Sequence, residues 1–161
     1  MIKSRKFFRA ILAMLAVLLI AWLVVWYINC SEYKIYTARN YEKLDNCYIK
    51  EANGLCYTIS CPTIESLVGN YAITNHDDSI SIIIWPKYIG HTTYTFGLQI
   101  KDRETGTGYM VYVNDKMKYL EESNNSFTST ETEHIRELIK RSENEIDYIY
   151  GIAKDEWNLK N

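Results

Sequence analysis

From Ala10 to Ile28 the chain carries no charged residue. No other feature restricts its fold as much. At about 1.5 Å per residue, 19 residues of helix reach about 30 Å, the hydrocarbon thickness of a bilayer. A core helix of a soluble domain would be shorter or would keep a polar stripe. Lys3, Arg5, Lys6 and Arg9 precede the run, and Trp22, Trp26 and Tyr27 lie toward its far end. Basic residues stay on the cytoplasmic side and aromatic rings favour the membrane interface, so this order predicts an N-terminus inside and the rest outside. Lys34, Arg39 and Lys43 beyond the run moderate the bias.

The run ends in bulky residues, "WYINCS", not in the small residues that precede a signal cleavage site. Tyr27, Ile28 and Asn29 also depart from the small residues that precede a lipidated cysteine, which leaves Cys30 without a lipoprotein context. The expectation is an uncleaved signal anchor. It divides the chain into a basic tail (1–9), a transmembrane segment (10–28), a juxtamembrane stalk (29–45) and an extracytoplasmic domain (46–161). A short anchor and compact design suggest a bacterial inner membrane, with the domain in the periplasm.

The four basic residues ahead of the run supply +4 of a formal net charge of −2, which leaves −6 for the remainder. An acidic exported domain lacks the Lys and Arg patches that nucleic acid requires. Acidity suits a basic protein partner or simply solubility. Fourteen tyrosines point first to sheet packing and second to a recognition face.

Cys30, Cys47, Cys56 and Cys61 all lie at or beyond the outer boundary, where an oxidising compartment permits disulfides. The stretch "CYIKEANGLCYTISC" reads as two strands around Asn53-Gly54. An odd-length loop centred on Gly54 places Cys47 opposite Cys61 and puts Cys47, Ile49, Tyr57, Ile59 and Cys61 on one face. A two-residue Asn-Gly turn would instead oppose Cys47 to Ser60. The better sorting of faces favours the first register. It predicts a Cys47–Cys61 disulfide, with Cys56 free or paired with Cys30. Zinc fits poorly, since there is no CxxC pair and no His in the cluster.

Further along, Pro62 and Gly69 suit the start and end of a short helix. Gly69-Asn70-Tyr71 is similar to the Gly-x-Trp opening of lipocalin-like barrels, with Tyr for Trp; the match covers Gly69 and Tyr71 and implies no ligand. Strands are predicted from Tyr71, over Ser79–Trp85, through the alternation of Tyr94, Phe96, Leu98 and Ile100, and over Tyr109–Val113. Thr130 with Glu133 forms a capping-box pattern ahead of a helix whose stripe is Ile135, Leu138 and Ile139. Ile146, Tyr148, Tyr150 and Ile152 alternate, which favours a final strand over more helix. The expected fold is α+β: an anchor helix, a mostly antiparallel sheet and a C-terminal helix packed on it.

No reaction motif stands out. His76, Asp77 and Asp78 read as a turn, because Asn and Asp are turn formers and consecutive residues rarely converge on one ion. His91 falls in a loop, and His134 on a solvated helix face. No serine occupies a Gly-x-Ser-x-Gly elbow, and "GTG" at Gly106–Gly108 opens no helix. The sequence implies no cofactor. The expected function is a non-catalytic, membrane-anchored protein that binds and neutralises or steadies another envelope protein, an immunity-type inhibitor being favoured. The alternatives are an accessory subunit of an envelope complex and a small hydrolase using His76 or His91.

Overall fold

The computed structural model describes residues 2–86 and 93–159, so His91 lies outside the described residues. Helix α1 spans Ile2–Glu32 and runs straight into a 3-10 helix, Tyr33–Arg39. It is long and apolar enough to cross a membrane, and no residue of its most apolar window is buried. Residues 29–45 are more than a spacer. Tyr33 and Tyr41 are 1% and 4% exposed and belong to the main core.

Seven antiparallel strands follow as a meander in sequence order: β1 Glu42–Leu44, β2 Cys47–Ala52, β3 Leu55–Ser60, β4 Asn70–Asn75, β5 Ile80–Pro86, β6 Tyr94–Lys101 and β7 Gly108–Val113. β1 pairs only with β2, and β7 with β6 and a single bridge at Tyr119. Among the described residues the sheet is therefore open, without the barrel closure of the lipocalin-like pattern. Helices α2, Ser129–Arg141, and α3, Glu143–Trp157, cover one face. The α+β class holds, with two helices on the sheet where one was expected.

Four local expectations are corrected, each for a physical reason. The β2–β3 hairpin uses the two-residue turn. Asn53 and Gly54 both have positive φ, 55° and 74°, the conformation that Asn-Gly supplies most readily. Cys47 consequently faces Ser60, Tyr48 faces Ile59 and Ile49 faces Thr58. Ile49 is thus on the opposite face from Tyr57 and Ile59. The core side of β2 is taken by Tyr48 and by Lys50, whose ammonium lies over the Tyr41 and Tyr57 rings at 5.2 and 5.1 Å.

Residues 61–69 form no helix. Their carbonyls accept from α1 instead: Trp26 Nε1 donates to Pro62 O at 3.2 Å and Trp22 Nε1 to Ile64 O at 2.9 Å, while Asn29 Nδ2 donates to Leu67 O. Gly69 is required by close approach, since a Cβ there would collide with the Ser60 carbonyl oxygen.

The capping box uses Thr128 and Glu131, two residues ahead of the expected pair. Thr128 Oγ1 accepts from Glu131 N at 3.3 Å, and Thr128 N donates to Glu131 Oε2 at 2.9 Å. The fourth correction is the last element, which is helix α3 and not a strand. Its buried stripe is Ile146, Ile149, Tyr150, Ala153 and Trp157, spaced three or four apart, while Tyr148 is 61% exposed. The α2 stripe of Ile135, Leu138 and Ile139 is buried as expected.

Among the described residues, six tyrosines enter the core: Tyr33, Tyr41, Tyr48, Tyr57, Tyr71 and Tyr150. Tyr71 stacks on Trp157 at 5.2 Å and on Tyr33 at 6.1 Å, and Tyr57 meets Trp157 edge-on at 6.3 Å. Trp157 Nε1 donates to Tyr41 Oη at 3.2 Å, Tyr41 Oη donates to Glu156 Oε1 at 3.0 Å, and Lys50 Nζ reaches both Glu156 oxygens at 3.0 Å. This cluster fastens the end of α3 to the segment that leaves α1.

Candidate binding surface

Strand pairing fixes what the helix-free face presents. The register aligns Ile49, Thr58, Ala72, Ile83, Gly97 and Tyr112 in one row across β2 to β7. Their alternates point into the core, where Ile59, Ile73, Ile82, Ile84 and Leu98 are wholly buried. Among the described residues no helix covers this second face.

At its centre the missing side chain of Gly97 makes a depression. Met110 Cε and the Trp85 ring lie over it, at 2.6 Å from where a Cβ would stand. The Trp85 and Tyr112 rings meet at 6.1 Å. Met110 and Tyr112 remain 42% and 43% exposed. Ile83, Trp85, Met110 and Tyr112 thus form an apolar cluster toward the β7 side of this face, beside a polar patch where Thr74 and Ser81 join hydroxyls at 2.8 Å.

The turns at the end of the sheet away from α1 border this face. His76, Asp77 and Asp78 do form the β4–β5 turn. Asn75 Oδ1 accepts from Ser79 N at 3.0 Å and Ile80 N at 2.9 Å, and its Nδ2 donates to Glu145 Oε1 at 2.7 Å. Arg103 reaches Asp77 Oδ2 at 2.7 Å. Hydrogen bonds from Ser79 hold the Asp77 carboxyl below its ordinary value, with Arg103 adding to the shift. A hollow of about 490 Å³ lies here, lined in part by Glu51, Cys56, Asn75, His76 and Asp78. Glu51, Asp77, Asp78 and Glu104 lie at this end and Glu145 reaches it from α3, while Arg103 pairs with Asp77 and Glu145 and Arg141 lies 4.0 Å from Glu104.

His134, expected on a solvated face, faces a carboxylate: its Nε2 lies 3.1 Å from Asp102 Oδ2. Asp102 also accepts from Glu104 N at 2.8 Å and Thr105 Oγ1 at 2.9 Å. Its carboxyl is held below the ordinary value by those bonds, that to Glu104 N foremost. The aspartate organises the β6–β7 turn, and the histidine latches α2 to it. The Thr105 hydroxyl and the imidazole thus meet the same Asp102 oxygen. Among the described residues no three metal-ligating side chains converge.

All four cysteines are free thiols. Cys47 faces Ser60, so the predicted Cys47–Cys61 opposition is not found, although Cys61 N donates to Asn46 O at 2.8 Å, next to Cys47. Burial pushes the Cys61 thiol up; Cys30 and Cys47 add to this and Lys43 opposes it. Cys56 is remote from this group. Five residues of extended chain, roughly 16 Å, separate it from Cys61, which argues against a Cys30–Cys56 pair. Of the anchor aromatics, Trp22 and Trp26 hold the 61–69 segment, and Tyr27 is 63% exposed.

The sequence alternation of β5 and β7 already contained Trp85, Met110 and Tyr112. Their convergence depends on register, which a single sequence does not print. Compared with known proteins, the chain matches no family model, no curated protein and no solved structure.

Proposed function

We propose that the chain is a single-pass bacterial inner-membrane protein, N-terminus cytoplasmic, whose periplasmic domain binds another envelope protein without catalysing a reaction. An immunity-type inhibitor of a toxin is the favoured form. The observation that carries this reading is the helix-free sheet face, with Ile83, Trp85, Met110 and Tyr112 gathered over Gly97 beside an acidic rim. Aromatic and Met side chains are enriched where proteins meet, and a rim of one charge speeds capture of a partner of the other. The partner is therefore a basic protein that lays an apolar patch on the sheet.

The test is affinity capture of the full-length chain from crosslinked membranes, with and without Tyr112→Arg. A stoichiometric partner retained by the wild type and lost from the variant is expected. Equal capture by both would remove this face from the proposal, and failure to protect cells in a toxin challenge would remove the immunity form.

An accessory-subunit reading draws on a different observation. Trp22, Trp26 and Asn29 of α1 bond to the domain, so the helix and the domain form one unit. Replacing residues 2–21 by an unrelated apolar segment, with Trp22 onward retained, discriminates the two. Loss of function would favour the accessory subunit, and retention the inhibitor.

A further inference from the structure

Three donors on α1 fix how far the β3–β4 connection descends along that helix. Asn29 meets Leu67 O, Trp26 meets Pro62 O and Trp22 meets Ile64 O. Cys30 Sγ also lies 3.6 Å from Pro62 O. Trp22 precedes Asn29 by seven residues, which is about 10 Å along the axis. The connection therefore runs beside two turns of the apolar segment, well below the point where that segment ends in sequence.

This placement conflicts with a domain held clear of the bilayer. If residues 62–67 stood in water, the apolar stretch left for lipid would be Ala10–Ala21, about 18 Å long. The hydrocarbon layer is about 30 Å thick. The mismatch disappears if the connection itself lies in the outer interface.

Its chemistry fits that position. Ile64 is 55% exposed, and Glu65 is the one charged residue between Cys61 and Gly69. Backbone groups at membrane depth need internal partners. The carbonyls of Pro62, Ile64 and Leu67 have theirs in α1, Val68 O accepts from Ser66 Oγ at 2.7 Å, and Gly69 N donates to Tyr33 Oη at 3.2 Å. Indole rings at this level are also where Trp is favoured.

We propose that the Pro62–Leu67 connection is a second membrane-contacting element, seated in the outer interface beside Trp22 with Ile64 against lipid and Glu65 among the headgroups. It makes the lipid surface a direct partner of the folded domain and fixes the domain's orientation on the membrane. The inference rests on α1 crossing the bilayer.

The test places a benzophenone amino acid at position 64 of the full-length chain, in vesicles of phosphatidylethanolamine and phosphatidylglycerol. Lipid adducts are read by mass spectrometry after illumination. Probes at Leu15 and Tyr148, 54% and 61% exposed, serve as the lipid and aqueous references. Lipid adducts at 64 matching those at 15 and well above those at 148 are expected. Adducts at 15 with none at 64 would overturn the inference and leave the spanning helix standing. No adducts at 15 would remove the spanning reading on which it rests. Position 64 buries no core side chain, and the same probe at exposed Thr63 gives an independent second reading.

Discussion

The two faces of the sheet are built from one set of strands and differ in almost every physical respect. In β5, Ile80, Ile82 and Ile84 are at most 2% exposed beneath the helices, while Ser81, Ile83 and Trp85, one residue out of phase, are only partly covered. The covered face takes β-branched and aromatic side chains and two helices. The open face alternates small residues with a few large ones, and its packing stops at the surface. The difference teaches that hydrophobicity alone does not identify this core. Ile82 and Ile83 are identical residues, and only their phase separates a core position from a surface one.

The sharpest test of that contrast is a pair of substitutions. Ile82→Ala should cost about 3–4 kcal/mol, because it leaves a cavity among wholly buried neighbours. Ile83→Ala should cost about 1 kcal/mol or less. Urea unfolding of the full-length chain in detergent micelles measures both, and equal losses would break the distinction.

A smaller effect is expected where the covered face meets its ionic clamp. The Lys50 and Glu156 side chains are 21% and 19% exposed, so Glu156→Gln should cost about 1–2 kcal/mol after allowance for solvent screening. Arg103→Ala, at the exposed rim with the Arg103 side chain 64% exposed, should stay within about 0.5 kcal/mol. The same unfolding assay compares them.

The faces should also separate by pH. Burial on the covered face raises Tyr150 from 10.0 to about 12. A raised tyrosine keeps its full contribution below the unfolded value and loses it as pH climbs through the folded one. Stability should therefore fall across pH 10 to about 12, and Tyr150→Phe should reduce that fall. At the rim Asp77 and Asp102 are lowered from 3.8, so their contribution is present above that value and vanishes as pH drops through their folded values. Asp102→Asn should blunt the acid limb and leave the alkaline one untouched.

A modest stability change should also come from Gly97→Ala. The new methyl meets the end of the half-exposed Met110 side chain and the Trp85 ring, both on the open face, so the cost should stay under about 1 kcal/mol while tryptophan emission shifts. A loss as large as that of Ile82→Ala would mean that the open face is a packed core.

Much of this architecture was legible in the residues. The uncharged run marked α1, strict alternation marked β6, and the Ile135–Leu138–Ile139 stripe marked α2. What was misread had two readings of similar weight. Ile146, Tyr148, Tyr150 and Ile152 alternate, yet Ile146, Ile149, Ala153 and Trp157 also keep helical spacing, and contact with Tyr57 and Tyr71 decides for the helix. Two Thr-x-x-Glu patterns overlap, and the helix starts at the first. Pro62 and Gly69 resemble helix punctuation, but the partners of that segment are forty residues away in α1. The contact surface was least legible, because Gly97, Met110 and Trp85 come together only across three strands.

The outer edge of β7 decides what geometry an interaction with this sheet can take. Asn124 accepts from Tyr112 N at 2.8 Å and donates to Tyr112 O at 2.8 Å and to Leu120 O. One side chain thereby fills the place where another strand would hydrogen-bond. At the other edge β1 is three residues long and carries Glu42 and Lys43. Among the described residues, both edges of the sheet thus discourage a further strand, β7 through Asn124 and β1 through its short, charged run. On the proposed binding reading, a partner therefore lies flat on the sheet, held by shape and side chains instead of by added strand pairing.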